Sequence, residues 1–231
     1  MKTRSFLLPL LFLFFSAAAN AQFSFGIKGG YAKVWQSNTT TSADNSKFDG
    51  MVATVLLYRR VNKYLEIGIE PGYARRGNAR HFNNNLIILG YIDFIDLEAM
   101  ITPTDLPLVT QHIEVPLMIK SNIPLVNSKF IFLAKAGVGA SWLASGYYES
   151  NEYDYITGQN ISKITSLDFS NERIYKRWDW GIYAGTGIGY KLGFGMLAFE
   201  METYLGQTSA VNFKKAKNRS INYSFSYLID L

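Results

Sequence analysis

The chain has 231 residues, 48% of them hydrophobic and 15% aromatic, with a formal net charge of +5 and no cysteine. The missing cysteines exclude disulfides and thiolate metal sites, and a charge this small and dispersed excludes nucleic acid as a partner. Beyond the first 21 residues no apolar run approaches the ~18 residues of a spanning helix, the longest being Leu86 to Ile95 with Asp93 inside it, so a helical membrane bundle is excluded too.

In chain order, the first element is a leader. Lys2 and Arg4 make a basic start, Phe6 to Phe15 is apolar apart from Pro9, and Ala19-Asn20-Ala21 closes it with small residues. This pattern predicts a secretory signal peptide over residues 1–21, cleaved between Ala21 and Gln22, and a single mature domain over 22–231. No cysteine follows the cleavage site, which excludes a lipoprotein anchor. Without Lys2 and Arg4 the mature charge falls to +3, 21 basic against 18 acidic residues.

Eight alternating runs follow, each with the period of 2 that a strand requires. Phe23, Phe25, Ile27 and Tyr31 oppose Ser24, Gly26, Lys28 and Gly30. The second run, Gly50 to Tyr58, is apolar on both faces. In the third, Leu65, Ile67, Ile69 and Tyr73 oppose Glu66, Gly68, Glu70 and Gly72. In the fourth, Ile113, Val115, Leu117 and Ile119 oppose His112, Glu114, Met118 and Lys120. Phe130 to Trp142 sets Phe, Ala, Val and Trp against Lys135, Gly137, Gly139 and Ser141. Trp178 to Tyr190 sets Trp178, Trp180, Ile182 and Ile188 against Asp179, Tyr183 and four glycines. Leu197, Phe199, Met201 and Leu205 oppose Glu200, Glu202 and Tyr204. The last run, Ile221 to Leu231, alternates except at Leu228.

The connections alternate long and short. Gln36–Lys47, Gly77–Thr110, Tyr147–Glu172 and Gln207–Arg219 are long, while Arg59–Lys63, Ser121–Ser128 and Lys191–Gly195 are short. An even number of amphipathic strands with short turns at one end and long loops at the other predicts an all-β, eight-stranded, antiparallel up-and-down transmembrane barrel. A hairpin within Leu86 to Met100 would raise the count to ten. Periodicity alone leaves open which face is inside, since a soluble barrel of the lipocalin type turns its apolar face inward.

Three stretches carry a family resemblance. Phe25-Gly26-Ile27-Lys28-Gly29-Gly30-Tyr31 resembles the first strand of the PorT-type outer-membrane β-barrel family. Tyr64 to Tyr73 (YLEIGIEPGY) is similar to its third strand, and His112 to Lys120 (HIEVPLMIK) to its fourth. The resemblance implies an integral barrel of a Gram-negative outer membrane; its motifs are strand patterns and imply no chemistry.

Candidate chemistry is sparse. His112 and Glu114 share a strand face, with Ser141 as a conceivable nucleophile, but nothing in the sequence fixes that pairing; no metal, cofactor or catalytic motif is present, and the glycines from Gly181 to Gly189 read as room for bending and for opposing side chains. Two groupings are expected instead. Lys28, Glu66, Glu70, Glu114, Lys120, Lys135, Asp179, Glu200 and Glu202 form a lumen network, joined by Tyr183 and Tyr204. Arg75, Arg76, Lys176, Arg177, Lys214 and Lys215, near the ends of strands, form an outer rim where lipopolysaccharide phosphates lie. Trp142, Tyr147, Tyr148, Trp178 and Trp180 at one edge and Tyr58, Tyr64 and Tyr190 at the other fit two aromatic girdles. The functional expectation is a non-enzymatic structural or interaction protein of the outer membrane, in contact with its lipid and with an unknown envelope protein; a small pore is the second reading, a lipid- or envelope-modifying enzyme the third.

Overall fold

A computed structural model of the chain describes residues 23–38, 47–81, 105–125, 129–154, 159–166, 176–211 and 214–230. The predicted leader with Ala21 and Gln22, and the segment Leu86 to Met100, lie outside them. The strands are β1 (Phe23–Asn38), β2 (Phe48–Arg60), β3 (Leu65–Ile69), β4 (Gly72–His81), β5 (Asp105–Pro124), β6 (Phe130–Asp154), β7 (Gln159–Ser166), β8 (Trp178–Leu192), β9 (Gly195–Val211) and β10 (Lys214–Asp230).

These ten segments make eight staves. β3 and β4 run as one, because the register on β2 and on β5 passes unshifted through Glu70 and Pro71. Pro71 has no N–H to give the ladder, yet its carbonyl still accepts from Val55 N at 2.9 Å. β8 pairs with the lower part of β6 and β7 with its upper part, so they share one position in the ring. The first and last strands pair antiparallel from Ser24 opposite Asp230 to Asn38 opposite Ala216, and with β5 on β6 the sheet closes on itself. Closure removes the open edges that lipid cannot satisfy.

Burial decides the question that periodicity left open. Ile27 is 62% exposed and Phe225 64%, while Lys28 is 6% and Lys135 5% exposed. The apolar stripes face outward and the charges inward, the reverse of a soluble barrel. The second run resolves the same way, with Val52, Leu56 and Tyr58 inside and Met51, Val55 and Leu57 outside. Leu228, which broke the alternation of the last run, points inward and packs with Leu56, Tyr58, Met118, Tyr183 and Tyr204.

The strands outrun the expected loops. β6 has 25 residues and β5 has 20, against the roughly 10 that cross a bilayer. Much of Tyr147–Glu172 is therefore a β6–β7 hairpin, and Gln207–Arg219 is mostly strand, with only residues 212–213 between β9 and β10. His81, expected in a loop, ends β4 opposite Asp105. Outside the bilayer a strand has water on both sides and needs no alternation, so these extensions carry no period-2 signal.

Candidate functional site: a charged lumen and a basic rim

All nine expected lumen residues are buried inside the barrel. Their side chains meet in three tiers. At the end where the chain termini pair, Lys120 forms an ion pair with Glu66 at 2.8 Å and lies 4.0 Å above the Tyr58 ring. Arg60 reaches Glu66 at 3.7 Å and Asp230 at 3.1 Å, and Ser24 donates to Asp230 at 2.7 Å.

The middle tier centres on Lys135. Its ammonium touches Glu200 at 2.6 Å, Glu202 at 2.7 Å and Glu70 at 3.4 Å. Lys28 bridges Glu70 and Glu202, the latter at 3.5 Å; Tyr58 donates to Glu70 and Ser226 to Glu200. Glycine makes this possible. Gly185 stands between Lys135 on β6 and Glu202 on β9 in one cross-strand row, and Gly187 lies opposite Glu200. A Cβ at Gly187 would come within 3.1 Å of Glu200 Cγ, closing the space the long side chains use to cross.

In the third tier Arg76 pairs with Glu114, which also accepts from Tyr183 at 3.1 Å and Ser141 at 3.2 Å. The Arg76 guanidinium stacks on Tyr204, whose hydroxyl donates to Asp179 at 2.9 Å. Asn218 and the Thr208 N–H also donate to Asp179, at 3.3 and 2.9 Å. Charges this buried persist only when paired and hydrogen-bonded, because desolvating each ion costs several kcal/mol. A cavity of about 20 Å³ beside Lys28, Glu70, Glu114, Tyr183 and Asn222 has room for about one water.

Arg76 corrects the expected rim. It is 3% exposed and belongs to the lumen. Period 2 carried on from Glu70 through Gly72 and Ala74 arrives at Arg76, a signal masked by the adjacent Arg75 at the end of the run. Tyr58 is corrected too, from a girdle to the lumen, because the doubly apolar second run gave its face no contrast. Trp178, Trp180, Tyr64 and Tyr190 are exposed on the outside, and Trp142 and Tyr147 are half-buried.

The possible His112–Glu114 dyad does not form as such. His112 Nδ1 lies 3.0 Å from Ser141 Oγ and its Nε2 lies 3.1 Å from Thr110 Oγ1, while Ser141 donates to Glu114. The carboxylate therefore orients the hydroxyl rather than the imidazole, the opposite of what a nucleophile–base–acid relay needs. Among the described residues no group of three or more His, Cys, Asp or Glu is placed to hold a metal.

Outside, Arg75 is half-buried, bonds the Tyr147 hydroxyl at 3.2 Å and lies over Phe48. Lys176 is exposed and Arg177 half-buried. Lys214 and Lys215 start β10, their side chains outside the described residues. Above the apolar band Asp49 accepts from Lys33 and Tyr31, and these hydrogen bonds hold its carboxyl below the ordinary range while raising the Lys33 ammonium.

No curated protein matches this sequence. Among solved structures, Ail, the attachment invasion locus protein of Yersinia pestis, crystallised with the heparin analogue sucrose octasulfate, is 11% identical over 90% of this chain and 99% of its own, with a TM-score of 0.41. Neisserial surface protein A is 13% identical over 90% and 97%, with a TM-score of 0.43. The outer membrane protease OmpT of Escherichia coli is 9% identical over 91% and 97%, with a TM-score of 0.38. Residues 15–212 match the family described as outer membrane protein beta-barrel domain. With its closed ring of amphipathic strands, apolar outside and charged within, the chain belongs to that family and is a protein of the outer membrane.

Proposed function

We propose that this protein is a non-enzymatic structural or interaction barrel, closed to ions, that contacts lipopolysaccharide at its outer rim. The observation that carries the closed barrel is the middle tier, where Lys135 and Lys28 are bound to Glu70, Glu200 and Glu202 across the width of the lumen. An eight-stranded barrel is just narrow enough for side chains to fill. The cavity beside Lys28 and Glu70 is about the size of one water, too small for a hydrated ion to occupy without breaking ion pairs.

A role without catalysis is supported by the order of contacts around Ser141, whose hydroxyl is held by Glu114 while that carboxylate is held by Arg76. Contact of lipopolysaccharide phosphates with Lys176, Arg177, Lys214 and Lys215 is supported by their position at the starts of β8 and β10, and with Arg75 by its outward place on β4 beside Tyr147. The strand motifs at Phe25–Tyr31, Tyr64–Tyr73 and His112–Lys120 support placing the chain with the PorT-type barrels. The role is tested by reconstituting the purified protein in planar bilayers and recording at neutral pH. No steady current is expected from the unmodified barrel; reproducible single-channel steps, with cation selectivity lost in Glu200→Gln, would establish the pore reading instead.

A further inference from the structure

The outward face of the seam between β1 and β10 carries a second cluster of charge that the lumen does not use. Register sets Trp35 opposite Arg219, Ser37 opposite Lys217, and Lys33 opposite Asp49 on β2. Their sequence neighbours Val34, Gln36, Asn218 and Ser220 are buried in the lumen, so Lys33, Trp35, Lys217 and Arg219 point away from it. Lys47 leans over the Trp35 ring at 5.9 Å. Lys47 thus covers the indole, while Arg219, which also donates to the Gly206 carbonyl at 3.4 Å, and Lys217 stand across the seam from Trp35 and its neighbour Ser37. The described carboxylate beside them, Asp49, is already bound by both Lys33 and Tyr31. One outward position nearer the membrane, Tyr31 and Tyr223 pair directly across the seam, and Phe225 and Ile27 follow, all exposed.

Among the described residues, the patch therefore joins a net positive head to an apolar stripe on the same face. We propose that it seats a phosphorylated glycolipid of the outer leaflet. The phosphates lie against Lys47, Lys217 and Arg219, the sugar against the Trp35 indole, and the acyl chains along Tyr31, Tyr223 and Phe225. Ammonium and guanidinium groups are the usual partners of phosphate oxygens, and Arg219 adds a planar fork. Lys33 contributes indirectly, since by binding Asp49 it cancels the negative charge that would repel a phosphate. Placement at one seam distinguishes this from general attraction around the rim. The inference rests on the lipopolysaccharide contact proposed above and narrows it to one place.

The test measures binding of fluorescent lipid A to the full-length protein in detergent, by energy transfer from the tryptophans. Dephosphorylated lipid A and inorganic phosphate serve as comparators. The wild type should bind lipid A about tenfold more tightly than its dephosphorylated form, and the triple variant Lys47→Gln, Lys217→Gln, Arg219→Gln should lose that advantage. Lys129→Gln with Lys191→Gln, exposed residues at a turn on the opposite end, should bind as the wild type does. Heat-modifiable mobility on gels verifies that each variant is folded. Wild-type affinity in the seam variant would overturn the assignment while leaving lipopolysaccharide contact elsewhere on the rim intact. Displacement of lipid A by millimolar inorganic phosphate alone would make this a site for the ion and overturn the lipid claim. If the wild type binds neither lipid, the rim reading itself fails, and this inference with it.

Discussion

The guanidinium carbon of Arg76 sits 3.6 Å from the centroid of the Tyr204 ring, inside the barrel, while the same group pairs with Glu114. Tyr204 in turn packs on Tyr183 at 4.9 Å and donates to Asp179, so one arginine ties the wall strands β4, β5, β8 and β9 together. Its Nε and Nη1 atoms make no hydrogen bond, so the flat ring face supplies much of its environment. A planar, weakly hydrated guanidinium is better suited to lie flat on a ring with N–H groups left unbonded than a strongly hydrated ammonium is.

Arg76→Ala is therefore expected to cost about 3–5 kcal/mol of stability, because it leaves Glu114 as an uncompensated buried charge. Arg76→Lys should recover only part of that loss. Arg75→Ala, half-buried beside it on the outer face, should cost about 1 kcal/mol or less. Urea titration of the three variants in lipid vesicles measures the order; equal effects at both arginines would show that Arg76 is not inside.

Lys135 makes a related prediction with a built-in control. Lys135→Met leaves Glu70, Glu200 and Glu202 sharing Lys28 alone, and should cost about 3–5 kcal/mol. Adding Glu202→Gln to that variant removes one stranded charge and should restore about 1–2 kcal/mol, although Glu202→Gln alone destabilises. A double-mutant cycle by thermal unfolding reads the coupling directly, and simple additivity would mean the two groups do not share a buried network.

Outward positions should respond differently. Ala136→Arg and Phe199→Arg put a cation into lipid near the midplane and should each cost about 2–4 kcal/mol, slowing assembly into vesicles. Gly137→Leu acts from the other side, since even a Cβ at that position would run into the Met118 sulfur and the Leu117 carbonyl. Overpacking of this kind costs about 1–3 kcal/mol. Folding yields at varied bilayer thickness separate the two mechanisms, because only the lipid-facing arginines should become more tolerable as the bilayer thins.

Why the barrel was legible in the sequence, and parts of its interior were not, follows from the two solvents it meets. Within the bilayer β1, β5, β8 and β9 face hydrocarbon on one side and mostly packed polar groups on the other, so they alternate cleanly and their faces can be read residue by residue. β2 faces hydrocarbon outside and the cluster of Leu56, Tyr58 and Leu228 inside, so both its faces are apolar and the contrast vanishes. The sequences of upper β6 and of β7 carry no period-2 alternation, and the hairpin reads as a loop. Arg76 was hidden differently: its type suggested a rim, and only its position in the period of Glu70 and Gly72 places it inside. The tier of contacts around Lys135 was beyond reading in detail, because the pairing of Glu70, Glu200 and Glu202 with one ammonium depends on register across staves remote in sequence.

The most direct test is the accessibility of single cysteines on the two faces of the barrel wall. The chain has no cysteine, so single cysteines can be introduced into the unaltered background. Spin labels at Ala136, Val138 and Ala140 should collide freely with oxygen dissolved in lipid, while single cysteines at the inward Ser141, Ser224 and Ser226, close in size to the serines they replace, should resist a water-soluble thiol reagent. Ready reaction at those three serine positions would mean an open, water-filled lumen, and labels at Ala136, Val138 and Ala140 that meet water instead of lipid would mean the apolar face is inside; either would contradict a sealed, charge-paired barrel in the membrane.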